Sequence, residues 1–171
     1  MQIEMSKGKP QTSEGCFVAP SAVLVGDVQM GKNCSFWFNS TTRGDVMPIV
    51  MGDDCNIQDN AVIHGTYKKC GARLGNQVSV GHSAILHGCE IGDRVLVGMG
   101  TIIMDNAKIS NDSLVGAGSL VTEGSEFPPG VLIMGRPAKV KRELNEKELA
   151  FLKKSAENYK EYKSWYDGGT E

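Results

Sequence analysis

A six-residue spacing of aliphatic side chains constrains this chain more than any other feature of its sequence. Leu74, Val80, Leu86, Ile91, Val97, Ile103, Ile109, Val115 and Val121 make eight successive steps, seven of six residues and one of five. Val18, Leu24, Met30 and Phe36, then Met51, Ile57 and Ile63, repeat the pattern earlier. The position after the aliphatic is often glycine, as at Gly31, Gly52, Gly75, Gly92 and Gly116. Four residues after the aliphatic comes a second small side chain, such as Ala22, Ala61 or Ser119. Cys34 and Cys55 fall in that slot and read as small packed residues.

A period of six fits neither the 3.6 of a helix nor a long alternation of period two. It fits short strands separated by tight turns, each strand turning one aliphatic toward a common axis. Three such strands close a triangular coil of about 18 residues, which buries its aliphatic row only by stacking on its neighbours. The abundant glycine reads as a supply of positive φ for sharp corners. The expected fold is all-β: a parallel β-helix with an N-terminal lead-in over residues 1–138, then a C-terminal α-helix and tail over 139–171, in a single domain. Asn145, followed three residues later by Glu148, resembles a helix N-cap with its box partner. Leu149, Leu152, Ala156, Tyr159 and Tyr166 then recur at helical spacing, predicting a helix of about 20 residues packed along the stack.

Two interruptions break the repeat. Phe36 and Met51 are 15 residues apart and bracket TTRGDVMP, and Ile63 and Leu74 are 11 apart and bracket HGTYKKCGAR. Loops are expected to leave the scaffold at both, and such departures are where function tends to sit.

A net charge of -2 and a pI near 5.9 give no reason to expect nucleic acid or an anionic membrane as partner. No apolar run approaches the roughly 20 residues of a membrane span. The first residues, MQIEMSKGKPQTSEG, lack the apolar core of a secretory signal, and they lack Arg while carrying two Glu, unlike a transit peptide. Five cysteines without a C-x-x-C pair suit a reducing compartment, and cytoplasm is expected.

The chain has three histidines. His64 follows core residue Ile63 and His87 follows core residue Leu86, 23 residues on, which is one coil plus a five-residue insertion. Both therefore point outward from adjacent strands about 4.8 Å apart, a spacing at which two imidazoles can share one metal. His82 lies near the preceding corner and does not converge with them inside one narrow prism. A neighbouring subunit could bring its own His82 to the pair, and a threefold arrangement does so three times through one closing contact. The competing reading is three unrelated surface histidines.

The segments SFWFNSTTRGD, NIQDNAVIH, VGHSAILHGCEIGDRVLVGMG and PPGVLIMGRPAKVKREL resemble the γ-class carbonic anhydrase family, over roughly residues 12–166. The resemblance implies a left-handed hexapeptide-repeat β-helix and a homotrimer, a handedness that the period alone does not carry. It implies that His64 and His87 are zinc ligands from one subunit and His82 the ligand from its neighbour. It implies that Arg43, Asp45 and Asp59 form an ion-pair network beside the site, and that Gln58 bonds near the metal's solvent ligand. Asn56 belongs to the pattern more loosely, and Tyr159 is a candidate site-lining residue for which plain packing competes. The implied activity is hydration of CO2 to bicarbonate by hydroxide on Zn2+, with Fe2+ or Co2+ fitting the same three imidazoles.

The sequence departs from the family pattern where protons leave the site. Val46 replaces a glutamate after the Arg-Gly-Asp, and the basic TYKKCGAR stands where an acidic loop occurs, as in a shorter branch of the family. Two other classes compete: an acyl-CoA-dependent acyltransferase of the hexapeptide type, for which no spare histidine remains, and a structural subunit that retains the metal site.

Overall fold

The computed structural model describes residues 1–166; the end of the expected tail, 167–171, lies outside the described residues. The aliphatic rows become three inward columns. Val18, Phe36, Ile57, Val80, Val97, Val115 and Ile133 stack on a first face. Leu24, Thr42, Ile63, Leu86, Ile103 and Val121 stack on a second. Met30, Met51, Leu74, Ile91, Ile109 and Phe127 stack on a third. All pairing within these columns is parallel, and the chain makes about seven turns of a left-handed β-helix. The columns are the core, each large side chain contributing roughly 1.5–3 kcal/mol by its removal from water. One hydroxyl interrupts them: Thr42 is fully buried and its Oγ1 has no partner.

The glycines after the aliphatics serve a different purpose from the one expected. Positive φ falls on Asn and Asp, including Asn33, Asn39, Asp54, Asn60, Asn106 and Asp112, and, as expected, on corner glycines such as Gly100, Gly118, Gly124 and Gly130. Gly31, Gly52, Gly75 and Gly92 have no such backbone; they leave room for a side-chain oxygen of the next coil. A Cβ on Gly75 would stand 2.3 Å from Asp93 Oδ1, and one on Gly52 2.4 Å from Asn76 Oδ1. Those oxygens form a ladder up the corner between third and first faces. Asp53 Oδ1 accepts the Lys32 amide at 2.7 Å, and Asn76 Oδ1 accepts that of Asp53 at 2.9 Å. Asp93 Oδ1 takes the Asn76 amide at 2.7 Å, and Asn111 Oδ1 that of Asp93 at 2.8 Å.

The two interruptions resolve differently. TTRGDVMP does not leave as a loop: Thr41–Met51 is one continuous strand crossing from the second face to the third. Its extra length is absorbed beside the strand below, where the pairing offset rises from 18 residues at Gly26↔Gly44 to 21 at Val28↔Ile49. HGTYKKCGAR does leave, as a tight excursion closed by Thr66 donating its amide to the Cys70 carbonyl at 2.9 Å.

Both ends extend the sheets beyond the repeat. Gln2–Ile3 pairs under Val23–Met30, and Ala138–Glu143 folds back antiparallel on Val131–Gly135. The C-terminal helix, Glu146–Ser164, starts on the expected capping box of Asn145 and Glu148. An Arg142 fork and the Asn145 amide both bond the Glu148 carboxylate and lower its pKa to about 2. The helix buries Leu152, Ser155 and Ala156 against the first face, while Leu149 stays exposed. No described helix is long and apolar enough to cross a membrane.

Candidate metal centre

The strands Val62–His64 and Ile85–His87 pair in register, so His64 and His87 are direct neighbours at the end of the second face. His64 Nδ1 and His87 Nε2 face each other at 3.3 Å. Each ring's other nitrogen is held by a carboxylate: His64 Nε2 by Asp45 Oδ1 at 2.9 Å, and His87 Nδ1 by Asp105 Oδ1 at 2.7 Å. Arg43 Nη2 lies 3.4 Å from His64 Nδ1. A guanidinium only donates, so that nitrogen is the acceptor and the ring proton sits toward Asp45.

With the proton of each ring drawn to its carboxylate, two acceptor nitrogens stand face to face, an arrangement that a cation between them would satisfy. The geometry suits one. Donors bound tetrahedrally at 2.0–2.1 Å, as imidazole is on zinc, stand about 3.3–3.4 Å apart. A carboxylate on the far nitrogen of each ring is the usual way a ligating imidazole is oriented and its tautomer set.

Asp45 is shared between His64 and Arg43, with which it forms an ion pair. Burial works to raise its carboxyl, but the bonds from His64 and Arg43 outweigh it and hold the group below the usual carboxylate range. The same balance applies to Asp105. Burial opposes ionisation there, while bonds from Thr66, His87, Lys69 and Cys70 hold the carboxyl well down. Asp105 is absent from the expected site; the register Leu86↔Ile103 makes this coil 17 residues, so Asp105, 18 residues after His87, stands on the coil above and one residue past the stacked position.

The remaining expected residues gather at the opposite edge of the second face. His82 lies in the corner turn, and its Nδ1 is 2.8 Å from Asp59 Oδ2, on the turn one coil below. Gln58 is buried, donating to Asn56 Oδ1 at 3.0 Å; Asn56 donates to Ser79 Oγ, which meets Ser155 of the helix at 3.1 Å. Gln58, His82 and Tyr159 line one cavity of about 540 Å³ between helix and stack, with Leu96, Leu114 and Phe151. Tyr159 packs edge-on to Trp37 at 5.5 Å, and burial, then the Asp59 charge, raises its phenol to about 12.

The expected residues thus form two groups, Arg43, Asp45, His64 and His87 at one edge and Gln58, Asp59, His82 and Tyr159 at the other. Among the described residues, no three ligand-type side chains of one chain converge on a common point.

The family model described as Bacterial transferase hexapeptide (six repeats) matches residues 88–123. The chain is 42% identical over 161 residues to a carbonic anhydrase of Geobacillus kaustophilus, covering 94% of this chain and 88% of that protein. It is 40% identical over 155 residues to gamma carbonic anhydrase 2, mitochondrial, of Arabidopsis thaliana. That match takes in 88% of this chain but only 56% of the plant protein, so the chain spans about half the length of such relatives. A solved hexapeptide transferase family protein from Anaplasma phagocytophilum superposes with a TM-score of 0.92 at 41% identity, over 96% of this chain and 97% of that one.

Proposed function

The chain belongs to the γ carbonic anhydrase family of hexapeptide-repeat proteins, and from that premise we propose that it is a metal-dependent carbonic anhydrase acting as a homotrimer. The observation that carries this reading is the pair of facing acceptor nitrogens of His64 and His87, each fixed from behind by a carboxylate. Zn2+ fits that donor set, and Fe2+ or Co2+ fit it too.

The trimer follows from what one chain lacks. His82 and the His64–His87 pair lie at opposite edges of one face, so a second copy docked edge to edge joins its His82 to this pair. The outward row of that face supports such a contact. Val62, Ile85, Ile102 and Leu120 present an apolar strip between the two edges. A heterologous contact of this kind, if its rotation is threefold, closes after three copies and makes three equal sites.

His64, His87 and the neighbour's His82 would hold the ion, and the chemistry it supplies when bound is acidification of water to a nucleophile for CO2. The chain's own groups do the rest. Asp45, Asp105 and Asp59 keep a proton on the far nitrogen of each ring, leaving the near nitrogen free to bind. Arg43 holds Asp45 in place and adds positive charge where bicarbonate forms. Gln58, fixed by Asn56, and Tyr159 line the approach on the His82 side.

Metal analysis of anaerobically prepared protein, run beside a stopped-flow CO2 hydration assay, tests this. About one ion per chain and hydration abolished by a chelator are expected, and His82→Ala is expected to strip metal from every site. A metal-replete protein that hydrates no CO2 would overturn the enzyme reading. A second reading, an acyl-CoA-dependent acyltransferase, is favoured by the transferase descriptions of the matching family model and solved relative. Acyl-CoA turnover that survives His82→Ala would support it.

A further inference from the structure

The carboxylate behind His87 is itself gripped from two coils. Asp105 Oδ1 accepts the His87 Nδ1–H, and Asp105 Oδ2 accepts the Thr66 hydroxyl at 2.7 Å and faces Lys69 Nζ at 3.3 Å. Lys69 Nζ also reaches Glu123 Oε1 at 2.6 Å, on the coil above Asp105. Thr66 and Lys69 both belong to the TYKKCGAR excursion. Its closure, with Lys69 donating its amide to the Thr66 carbonyl at 3.0 Å, presents the two side chains together. Gly88 leaves the space that Cys70 and Asp105 occupy. Its φ is +60°, and a Cβ there would lie 2.4 Å from Cys70 Sγ and 2.8 Å from Asp105 Oδ1.

We propose that Asp105 is the positioning residue for His87, and that the short basic excursion is the clamp that holds Asp105. The proposal deepens the metal-site reading and rests on it. It also gives the excursion's charge a reason. Asp105 and Glu123 lie within reach of one another's field, and an acidic segment in this place would leave three like charges together. A lysine there bridges the two and offsets their repulsion. The two ligands of one chain are then supported alike: Asp45 by Arg43 behind His64, and Asp105 by Lys69 and Thr66 behind His87. No single contact at this exposed lysine carries much stability. What the set fixes is the ring's tautomer and direction, and loss of such a partner typically weakens metal binding 10–100-fold.

The experiment uses the full-length protein with Asp105→Ala, Asp105→Asn and the Thr66→Val/Lys69→Met pair. Zn2+ affinity is read by competition with a chromophoric chelator, and the His87 tautomer by ¹⁵N NMR of the metal-free protein at mildly alkaline pH. Asp105→Ala is expected to weaken Zn2+ binding about 10–100-fold and to move the His87 proton off Nδ1. Asp105→Asn, whose amide oxygen still accepts, is expected to keep the tautomer and lose less affinity, and the loop pair to lie between it and wild type. If Asp105→Ala does not fold, Asp105→Asn and the loop pair still decide. Wild-type tautomer and affinity in all variants that fold would overturn the proposal. A wild-type protein that binds no Zn2+ while Asp105→Ala still shifts the tautomer would overturn the metal reading and keep the positioning role.

Discussion

The second and third faces of the prism are cut from the same repeat and differ most in what they turn outward. On the third face the outward row from Arg73 upward is Arg73, Glu90, Lys108 and Glu126, all exposed, with Lys108 and Glu126 paired at 2.8 Å. On the second it is Val62, Ile85, Ile102 and Leu120. The inward position of each strand has one job, to fill a column, and the outward position is free to be written for another purpose. A charged row keeps a face in water; exposed ion pairs of this kind add little stability. An apolar row flanked by polar edges is what a protein contact looks like.

The largest effect should come from rewriting one outward row. Ile85→Glu, in the middle of the apolar strip, is expected to turn the proposed trimer into monomers and remove its metal, as read by sedimentation velocity and metal content. Lys108→Glu on the third face should change neither. A trimeric Ile85→Glu protein would take the second face out of the interface and break the comparison. Inside the prism the faces should not differ. Gly75→Ala forces a Cβ against Asp93 Oδ1 and the Asp93 amide, 2.3 and 2.8 Å away, and is expected to cost about 1–3 kcal/mol in a urea titration. An unchanged midpoint would show that the corner yields more readily than its contacts imply. The smallest effect sharpens the comparison from within the second face. Thr42→Val removes the buried hydroxyl without a partner and should gain about 1 kcal/mol by thermal or urea unfolding. A loss instead would mean that this hydroxyl is satisfied after all.

The period of six was enough to read the coil, because a side chain that must reach a common axis can recur only at the strand spacing. It was enough, too, to stack His87 on His64 across a five-residue insertion, which the strand register bears out. The capping box was legible because Asn145 and Glu148 carry their chemistry locally. What escaped depends on contacts between coils or outside the repeat. Gln2–Ile3 and Ala138–Glu143 are strands only because a sheet edge stands beside them, and nothing periodic marks them. TTRGDVMP looked like a loop because its spacing is irregular, yet a neighbouring strand absorbs the excess. Corner glycines such as Gly100 and Gly118 carry the positive φ that their abundance implies, while those after the aliphatics serve by the space they leave, which no spacing shows. Asp105 stands on the coil above His87 but one residue past the stacked position, and only its side-chain contacts mark it as the carboxylate behind that ring.

The corner ladder has a direction. At each of its steps the amide of one coil is satisfied by a side chain of the coil that follows it in sequence, from Lys32 up to Asn111. A chain emerging from its N-terminus therefore exposes an open donor at this corner until the next 17 to 23 residues arrive with the oxygen that closes it. The stack is sealed in the order in which it is made. Dismantling runs the other way: the uppermost coil must leave before the amide beneath it can open, so the amides of this corner should surrender their protons to solvent in sequence, from the C-terminal end down.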